Sequence, residues 1–523
     1  MSRRHRQELP TARHKVPAAG RLSEGTDEFE PFPESVLVTA LLKGHRLMID
    51  NRVRRATTPI AWVLAITAIA SLVVSLDQLV VATALPTIRA DLHASMADLE
   101  WTVNAFSLSL ATLLIPASQL GDRIGRRRTL VIGLALFGLA SIGCAVSGDI
   151  ATLLIARVVQ GIGGALILPT ALALLAGSAT PKQRGVVMGV FAAVMGLGVV
   201  IGPLVGGAVA QGLTWHWIFW INVPIIATII PLIATKVVEA KGESVGTDVL
   251  GIAFIGLSIF FAVWGLVRSG DAGWFSAEVV GTLSAAVVLF VAFVVWELRA
   301  KEPMIPLRLF AIPAFAAGNI SALLLTASLF STVFFFAQYL QIGLGYSPLE
   351  AGLRFLPWAL PVCVLSPIAG RLQQGVSPRW FIFFGLVIQT CALGWLAFSA
   401  SARGPYMAEI PPLLLSGIGI AMAMPAQQDA VMSSVLVQSM GKAAGTFSTV
   451  RQLGGVLGVA IAAAVFSAYG SDQTPGSFSS GFTAAIIAMA ALSLVGAGVG
   501  IFARGRAGET KDDLTMMQLI AEP

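Results

Sequence analysis

Fourteen separate runs of about twenty or more mostly apolar residues divide this chain, and that repetition restricts its fold more than any other feature. A helix needs about 20 apolar residues to cross the hydrocarbon of a bilayer. In that solvent the chain must satisfy its own backbone hydrogen bonds, which a helix does within a single segment. The first six runs fall at about 60–84, 100–120, 129–147, 150–177, 185–210 and 217–236. Two more follow at about 249–268 and 277–297. The last six lie at about 313–340, 351–370, 380–400, 411–432, 444–468 and 482–503. The expected fold class is therefore an all-α polytopic membrane protein. Composition agrees: of 523 residues, 56% are hydrophobic and only 12% charged, about half the charged fraction of a soluble domain.

The net charge of +6 does not mark a nucleic-acid partner. The basic residues are scattered in short clusters between apolar runs rather than gathered on one face or tail. Sorted by loop, they encode topology. With the N-terminus inside, the inner loops hold Arg52, Arg54, Arg55, Arg123, Arg126 to Arg128, Lys182, Arg184, Lys236 and Lys241. Further along, the same side holds Arg299, Lys301, Arg308, Arg371, Arg379, Lys442, Arg504 and Arg506. The outer side holds only Arg89, Arg268, Arg354 and Arg403. This bias places both termini in the cytoplasm and supports an even number of spans. Residues 1–59 are polar, lack a signal-peptide pattern and read as a disordered cytoplasmic tail; residues 506–523 form a second tail. Cys144, Cys363 and Cys391 lie in apolar runs with no metal-ligand or disulfide spacing, and read as small packing residues.

The chain also repeats itself. GVFAAVMGLGVVIG (189–202) aligns without gaps on GTFSTVRQLGGVLG (445–458), with Gly189, Phe191, Val194, Leu197, Gly198, Val200 and Gly202 meeting identical residues. A fainter echo links PASQLGDRIGRRRTLVIG (116–133) to PIAGRLQQGVSPRWFIFFG (367–385). Both matches place span 5 over span 13 and the 2–3 loop over the 10–11 loop. The expected organisation is a six-helix bundle over 60–240, two inserted helices over 241–300, and a second six-helix bundle over 301–505. Parallel halves of this kind are a transporter architecture, with the substrate site at mid-depth between them.

Six stretches then carry a resemblance: LDQLVVATALPTI at 76–88, GDRIGRRR at 121–128, LLIARVVQGIGGALILPT at 153–170, GLGVVIGPLVGG at 196–207, WHWIFWINVPI at 215–225 and RQLGGVLGVAI at 451–461. In this order they resemble the major facilitator superfamily, specifically its fourteen-helix drug:proton antiporters of the EmrB/QacA type, over roughly residues 60 to 505. The resemblance implies the major facilitator fold with 6+2+6 helices. It also implies an exporter of small amphipathic molecules, driven by protons or the membrane potential, in a bacterial inner membrane. No cofactor or metal is expected; the implied partners are the substrate, protons and membrane lipid, with a monomer as the working unit. The sequence departs from relatives at Leu79 and Ala82, where Thr and Asn are frequent, and at Phe106, where Tyr is frequent. No extra carboxylate lies inside span 10 or 13, since Glu350 falls at the edge of span 10, so a preference for doubly charged cations is not implied.

An ionisable side chain inside a span costs several kcal/mol and usually has a function. Asp77 lies a few residues beyond the middle of the expected first span, about 5 Å toward the outer face. Arg157 lies about 10 Å outward of the middle of span 4, an offset its long side chain can cover. The expected role of Asp77 is to bind and release the coupling proton while Arg157 tunes it; the alternative is a structural ion pair between spans 1 and 4. Asp429, near the inner end of span 12, reads as interfacial, and Arg451 as a partner for it or for a lipid headgroup.

In the 2–3 loop, Arg126, Arg127 and Arg128 hold the turn on the inner side, and Gly121 and Gly125 permit a tight turn. Asp122 accepts from a nearby arginine or caps a helix. The expected role of Gly121, Asp122, Arg123, Gly125, Arg126 and Arg128 is an inner latch between the halves, with a plain topology signal as the alternative. Gly198, Gly202, Pro203, Gly206 and Gly207 leave one side of span 5 nearly bare for close packing, and the resemblance marks this motif as that of exporters, sealing against proton leak. Asn104, Gln160, Asn319, Gln338, Trp358 and Gln389 are the polar or aromatic candidates for the substrate cavity. Other readings of the whole are a dedicated exporter of one metabolite or lipid precursor, a polytopic membrane enzyme, or a sensor. The enzyme reading lacks a nucleophile–base pair or metal spacing.

Overall fold

The computed structural model describes residues 59–503, apart from 180, 242–247, 301, 302, 304, 306, 374, 375, 401–404 and 436–439. The expected tails, except for Pro59, lie outside the described residues. Among the described residues, thirteen helices are long and apolar enough to cross a membrane, and another 32-residue helix, Pro181–Gly212, stands where the fifth span was expected. The first half consists of α1 (Ile60–Leu92), α2 (Met96–Ile124), α3 (Arg126–Ala145), α4 (Ile150–Ser178), α5 (Pro181–Gly212) and α6 (Asn222–Lys236). The inserted pair is α7 (Val249–Ala272) and α8 (Ala277–Arg299). The second half consists of α9 (Pro313–Gln338), α10 (Leu356–Leu372), α11 (Pro378–Ser399), α12 (Ile410–Ser433), α13 (Met440–Tyr469) and α14 (Pro475–Gly500). This is the 6+2+6 arrangement expected from the apolar runs.

Two edges differ from expectation for local reasons. α1 continues through Pro86 to Leu92, eight residues beyond the expected end, and stops where His93 turns left-handed at φ 49°. Asp77 therefore lies one residue past the midpoint of its helix rather than displaced along it. α14 begins at Pro475, not at 482, because Thr474 Oγ1 accepts from the Ser477 backbone at 3.2 Å and proline suits the first helical position. Ser479 and Ser480 then hydrogen-bond back to carbonyls of their own helix, which lets a serine-rich segment continue as helix.

The repeat in sequence is a repeat in packing. α5 lies against α1: a Cβ added at Gly198 would come within 3.1 Å of Leu72, and one at Gly202 within 2.9 Å of Leu79. Their counterparts on α13, Gly454 and Gly458, press against the backbone of Leu323 and Ala327 on α9. Between apolar helices in lipid there is little hydrophobic force, so close backbone approach at small residues supplies the van der Waals contact that holds them. The inserted α7 covers the seam where the halves meet. Its Ile255, Ile259, Val263 and Val267 share one cluster with Ala111 and Ile115 of α2 and Leu453, Val456 and Ala460 of α13.

At the end of the bundle marked by the α1–α2 turn, three polar links join the halves. Gln341 Nε2 donates to the Thr83 carbonyl at 2.9 Å, the Leu349 backbone donates to Gln211 Oε1 at 3.1 Å, and Arg89 forms an ion pair with Asp472. There the short helix Pro348–Leu353 nests on α5, with Gly207 facing the Pro348 carbonyl and Gly352 facing the Pro203 carbonyl. A side chain at Gly207 has no room. Overpacking of this kind costs about 1–3 kcal/mol, so Gly207→Val is expected to reduce the closed state at this end about tenfold. Disulfide cross-linking of a Gln211→Cys/Leu349→Cys pair reads that loss; unchanged yield means the contact is not a seal.

Candidate functional site

The site begins with how α1, α2, α4 and α6 are placed. Ser95 and Asp98 form a reciprocal cap that starts α2, and Asp149 starts α4 by accepting from the Thr152 backbone at 2.9 Å and its hydroxyl at 2.7 Å. Those two donations hold the Asp149 carboxyl below its ordinary range. α4 runs antiparallel to α1, so Arg157, two turns into α4, reaches back to the centre of α1. Asp77 and Arg157 are both 1% exposed.

The pair sits in a network drawn from five helices. Arg157 Nη1 donates to Asp77 Oδ2 and, at 2.7 Å, to Gln160 Oε1, while its Nε donates to the Thr102 carbonyl of α2 at 3.0 Å. Asp77 Oδ1 accepts from Gln160 Nε2 at 2.9 Å and from Asn222 Nδ2 of α6 at 3.2 Å. Both amides also reach Ser141 Oγ of α3, at 3.0 and 3.4 Å. The guanidinium carbon lies 4.4 Å from the ring centre of Phe106 and 5.8 Å from that of Phe219. Such desolvated cation–π contacts contribute about 2 kcal/mol. Phe106 thus does part of the work of holding Arg157 without a hydroxyl. The chemistry available is a carboxylate whose charge is matched by one guanidinium and whose two oxygens are held by three donor groups.

Asp77 and Arg157 come together as sequence placed them, and Gln160, a candidate for the substrate cavity, belongs to their network. Asn222, Ser141 and Phe219 were missed. Asn222 sits in the WINVPI stretch, and its polarity beside an apolar run was the one available signal. The other cavity candidates are dispersed. Both amide atoms of Asn104 are buried without a partner; Asn319 and Gln338 donate to carbonyls of their own helix; Gln389 Nε2 meets Ser328 Oγ at 3.3 Å; Trp358 packs edge-on to Phe355.

The loop over 121–128 is tied within its own half. Arg126 Nε donates to Asp122 Oδ1 at 2.8 Å, and the Arg126 backbone donates to the Ala240 carbonyl at 2.8 Å. Glu239, which follows α6 and was not anticipated, accepts from the Arg127 backbone at 2.9 Å and lies 3.7 and 3.8 Å from the guanidinium nitrogens of Arg127 and Arg128. Its carboxylate sits at the start of α3, where the helix dipole favours negative charge. Gly125 has φ +115°, and a Cβ there would fall within 2.6 Å of the Glu239 carboxylate, so both backbone angle and space require glycine. Gly121 faces Thr170 of α4 at 2.8 Å from an added Cβ. Arg123 is in the last turn of α2. The Arg451 guanidinium lies 5.6 Å from the Phe447 ring rather than against Asp429.

Two six-helix halves with a buried acid–arginine pair at the centre of the first helix define a polytopic membrane transporter. The chain belongs to the major facilitator superfamily, whose model matches residues 67–459. It is 33% identical to the tetracenomycin C resistance and export protein of Streptomyces glaucescens, over 78% of this chain and 76% of that protein. It is also 33% identical to the MFS-type transporter EfpA of Mycobacterium tuberculosis (76% and 75%) and to the puromycin resistance protein pur8 of Streptomyces alboniger (76% and 80%). A bacterial homologue of the human lysosomal transporter Spinster, inward-facing and unoccupied, shares the fold with TM-score 0.62 and 17% identity over 86% of this chain and 97% of that one. A peptide transporter, POT, in complex with sulfate does so at 0.61 and 14%, over 85% and 95%. The chain is a multi-pass membrane transporter of this superfamily and not an enzyme.

Proposed function

We propose that this transporter is a proton-coupled exporter of small amphipathic molecules, working by alternating access as a monomer in the bacterial inner membrane with both termini in the cytoplasm. The observation that carries the reading is the buried carboxylate of Asp77, held by donors from α4 and α6 at the midpoint of α1. A proton arriving at Asp77 neutralises the carboxylate and leaves Arg157 without its counter-charge. Loading and release of the proton thereby become linked to the packing of α1 against α4 and α6. The names of the relatives from Streptomyces support export of drug-like molecules.

The links at the α1–α2 end support reading this conformation as closed toward the outside. The 121–128 loop then lies at the cytoplasmic end as a latch, and Asp122, engaged here by Arg126 of its own half, exchanges partners when the halves close on that side. Asp122→Asn is expected to slow turnover about fivefold, the scale of about 1 kcal/mol at a helix terminus, with ligand affinity unchanged. Normal turnover leaves Asp122 with a topology role alone. Close packing of Gly198, Gly202 and Gly206 on α1, with Pro203 beside them, seals the first half against proton leak in this scheme.

Purified protein in liposomes with an imposed pH gradient and an internal pH dye tests the function. Addition of an amphipathic dye or drug that the protein exports should evoke proton movement beyond the substrate-free leak. Export that proceeds with no proton movement and no response to the gradient contradicts it.

A further inference from the structure

α13 carries an arginine at mid-helix that, unlike Arg157, pairs with no acid among the described residues. Arg451 lies within four residues of the midpoint of α13, about 5 Å along a helix axis. It is partly exposed, yet its Nε is buried and has no hydrogen-bond partner, and among the described residues no carboxylate forms an ion pair with it. Phe447, one turn earlier, faces the guanidinium. Gly454 and Gly458, one and two turns later, meet the α9 backbone, so Arg451 shares the side of α13 turned toward α9. An arginine at the centre of a span costs about 2.5–3.5 kcal/mol by insertion measures. The fold does not demand that cost: the repeat carries Met195 at the matching position of α5.

The surroundings are those of a recognition site for a negative group on an apolar body. Phe447 clusters with Phe315 and Ala322 of α9 and Val431 of α12. On the same stripes, Asn319 lies between the two α9 residues and Gln427 lies one turn from Val431. Neither amide atom of Gln427 has a partner, nor has Asn319 Oδ1, and all are buried. A guanidinium Nε and an amide N–H₂ without acceptors thus occur near a cluster of aromatic and aliphatic carbon.

We propose that Arg451, assisted by Gln427, docks an ionised acidic group (a carboxylate or phenolate) on the amphipathic molecule being exported. The inference rests on the exporter reading for the identity of the ligand, but binding tests it without any proton coupling.

The probes are pyrenebutyrate, an amphipathic carboxylate, and pyrenebutyramide, its neutral counterpart, titrated by fluorescence anisotropy into the full chain in nanodiscs of zwitterionic lipid. Wild type should bind the acid at least about tenfold tighter than the amide, the scale of one charge-assisted contact. Arg451→Gln and Arg451→Met should abolish that ratio while leaving amide binding unchanged, which also shows that the variants are folded; Arg451→Lys should keep part of it. No preference in wild type, or a preference that survives Arg451→Gln, overturns the proposal. So does a preference that disappears when anionic lipid is added to the nanodiscs, since the site then belongs to a lipid phosphate. If coupling fails in liposomes while the binding ratio behaves as stated, the proton mechanism is wrong and this site stands.

Discussion

Replacing Asp77 with Asn is expected to abolish proton-coupled export, lowering substrate-evoked proton flux about 100-fold or more, the scale of losing a proton-transfer group. Asparagine keeps the size of the side chain and one of its two acceptor oxygens, enough for Arg157 or for the amides of Gln160 and Asn222, but it cannot exchange a proton near neutral pH. The protein should still insert and remain monodisperse, because Arg157 keeps its bonds to Gln160 and the Thr102 carbonyl and both amides keep Ser141. Substrate binding in detergent should persist within a few fold. An Asp77→Asn protein that still accumulates or expels substrate in step with a pH gradient removes Asp77 from the coupling mechanism.

Arg157→Ala is expected to be the more damaging change for stability. It deletes hydrogen bonds to Asp77, Gln160 and Thr102 and empties the space between Phe106 and Phe219. It also leaves a buried carboxylate without its cation, and breaking a buried pair from one side costs about 3–5 kcal/mol. Val158→Ala, one residue on and 40% exposed, is the control and should be nearly silent. The double variant Arg157→Ala/Asp77→Asn should recover part of the loss, because the uncompensated charge is gone. Thermal unfolding of wild type, Arg157→Ala, Asp77→Asn and the double variant forms a double-mutant cycle. Additive losses mean that the two side chains do not act as a pair.

The helical scaffold was legible because the bilayer enforces one rule along the whole chain. Apolar runs long enough to cross it became helices, and both halves reuse the same glycine spacing at Gly198 and Gly202 and at Gly454 and Gly458. Errors arose where hydropathy misjudges a residue. The serines opening α14 hide their hydroxyls against their own backbone, and Pro86 is tolerated inside α1. The acid–arginine pair was readable because charge within a span is rare. Its supporting residues were not: Asn222, which donates to the carboxylate, and Ser141, which accepts from the amides of Gln160 and Asn222, are ordinary polar residues 145 and 64 positions from Asp77 in the chain, and only helix packing brings them into one network. Glu239 is similar, joined to the 121–128 loop by the fold and by no local pattern.

Infrared difference spectroscopy of the protein in liposomes addresses the proton on Asp77 itself. On acidification across the working range, and again on adding a transported substrate at fixed pH, a protonated-carboxyl stretch should appear or vanish, and that band should be missing in Asp77→Asn. A carboxyl band that never changes, or one that changes equally in the asparagine variant, contradicts a mechanism in which Asp77 carries the proton.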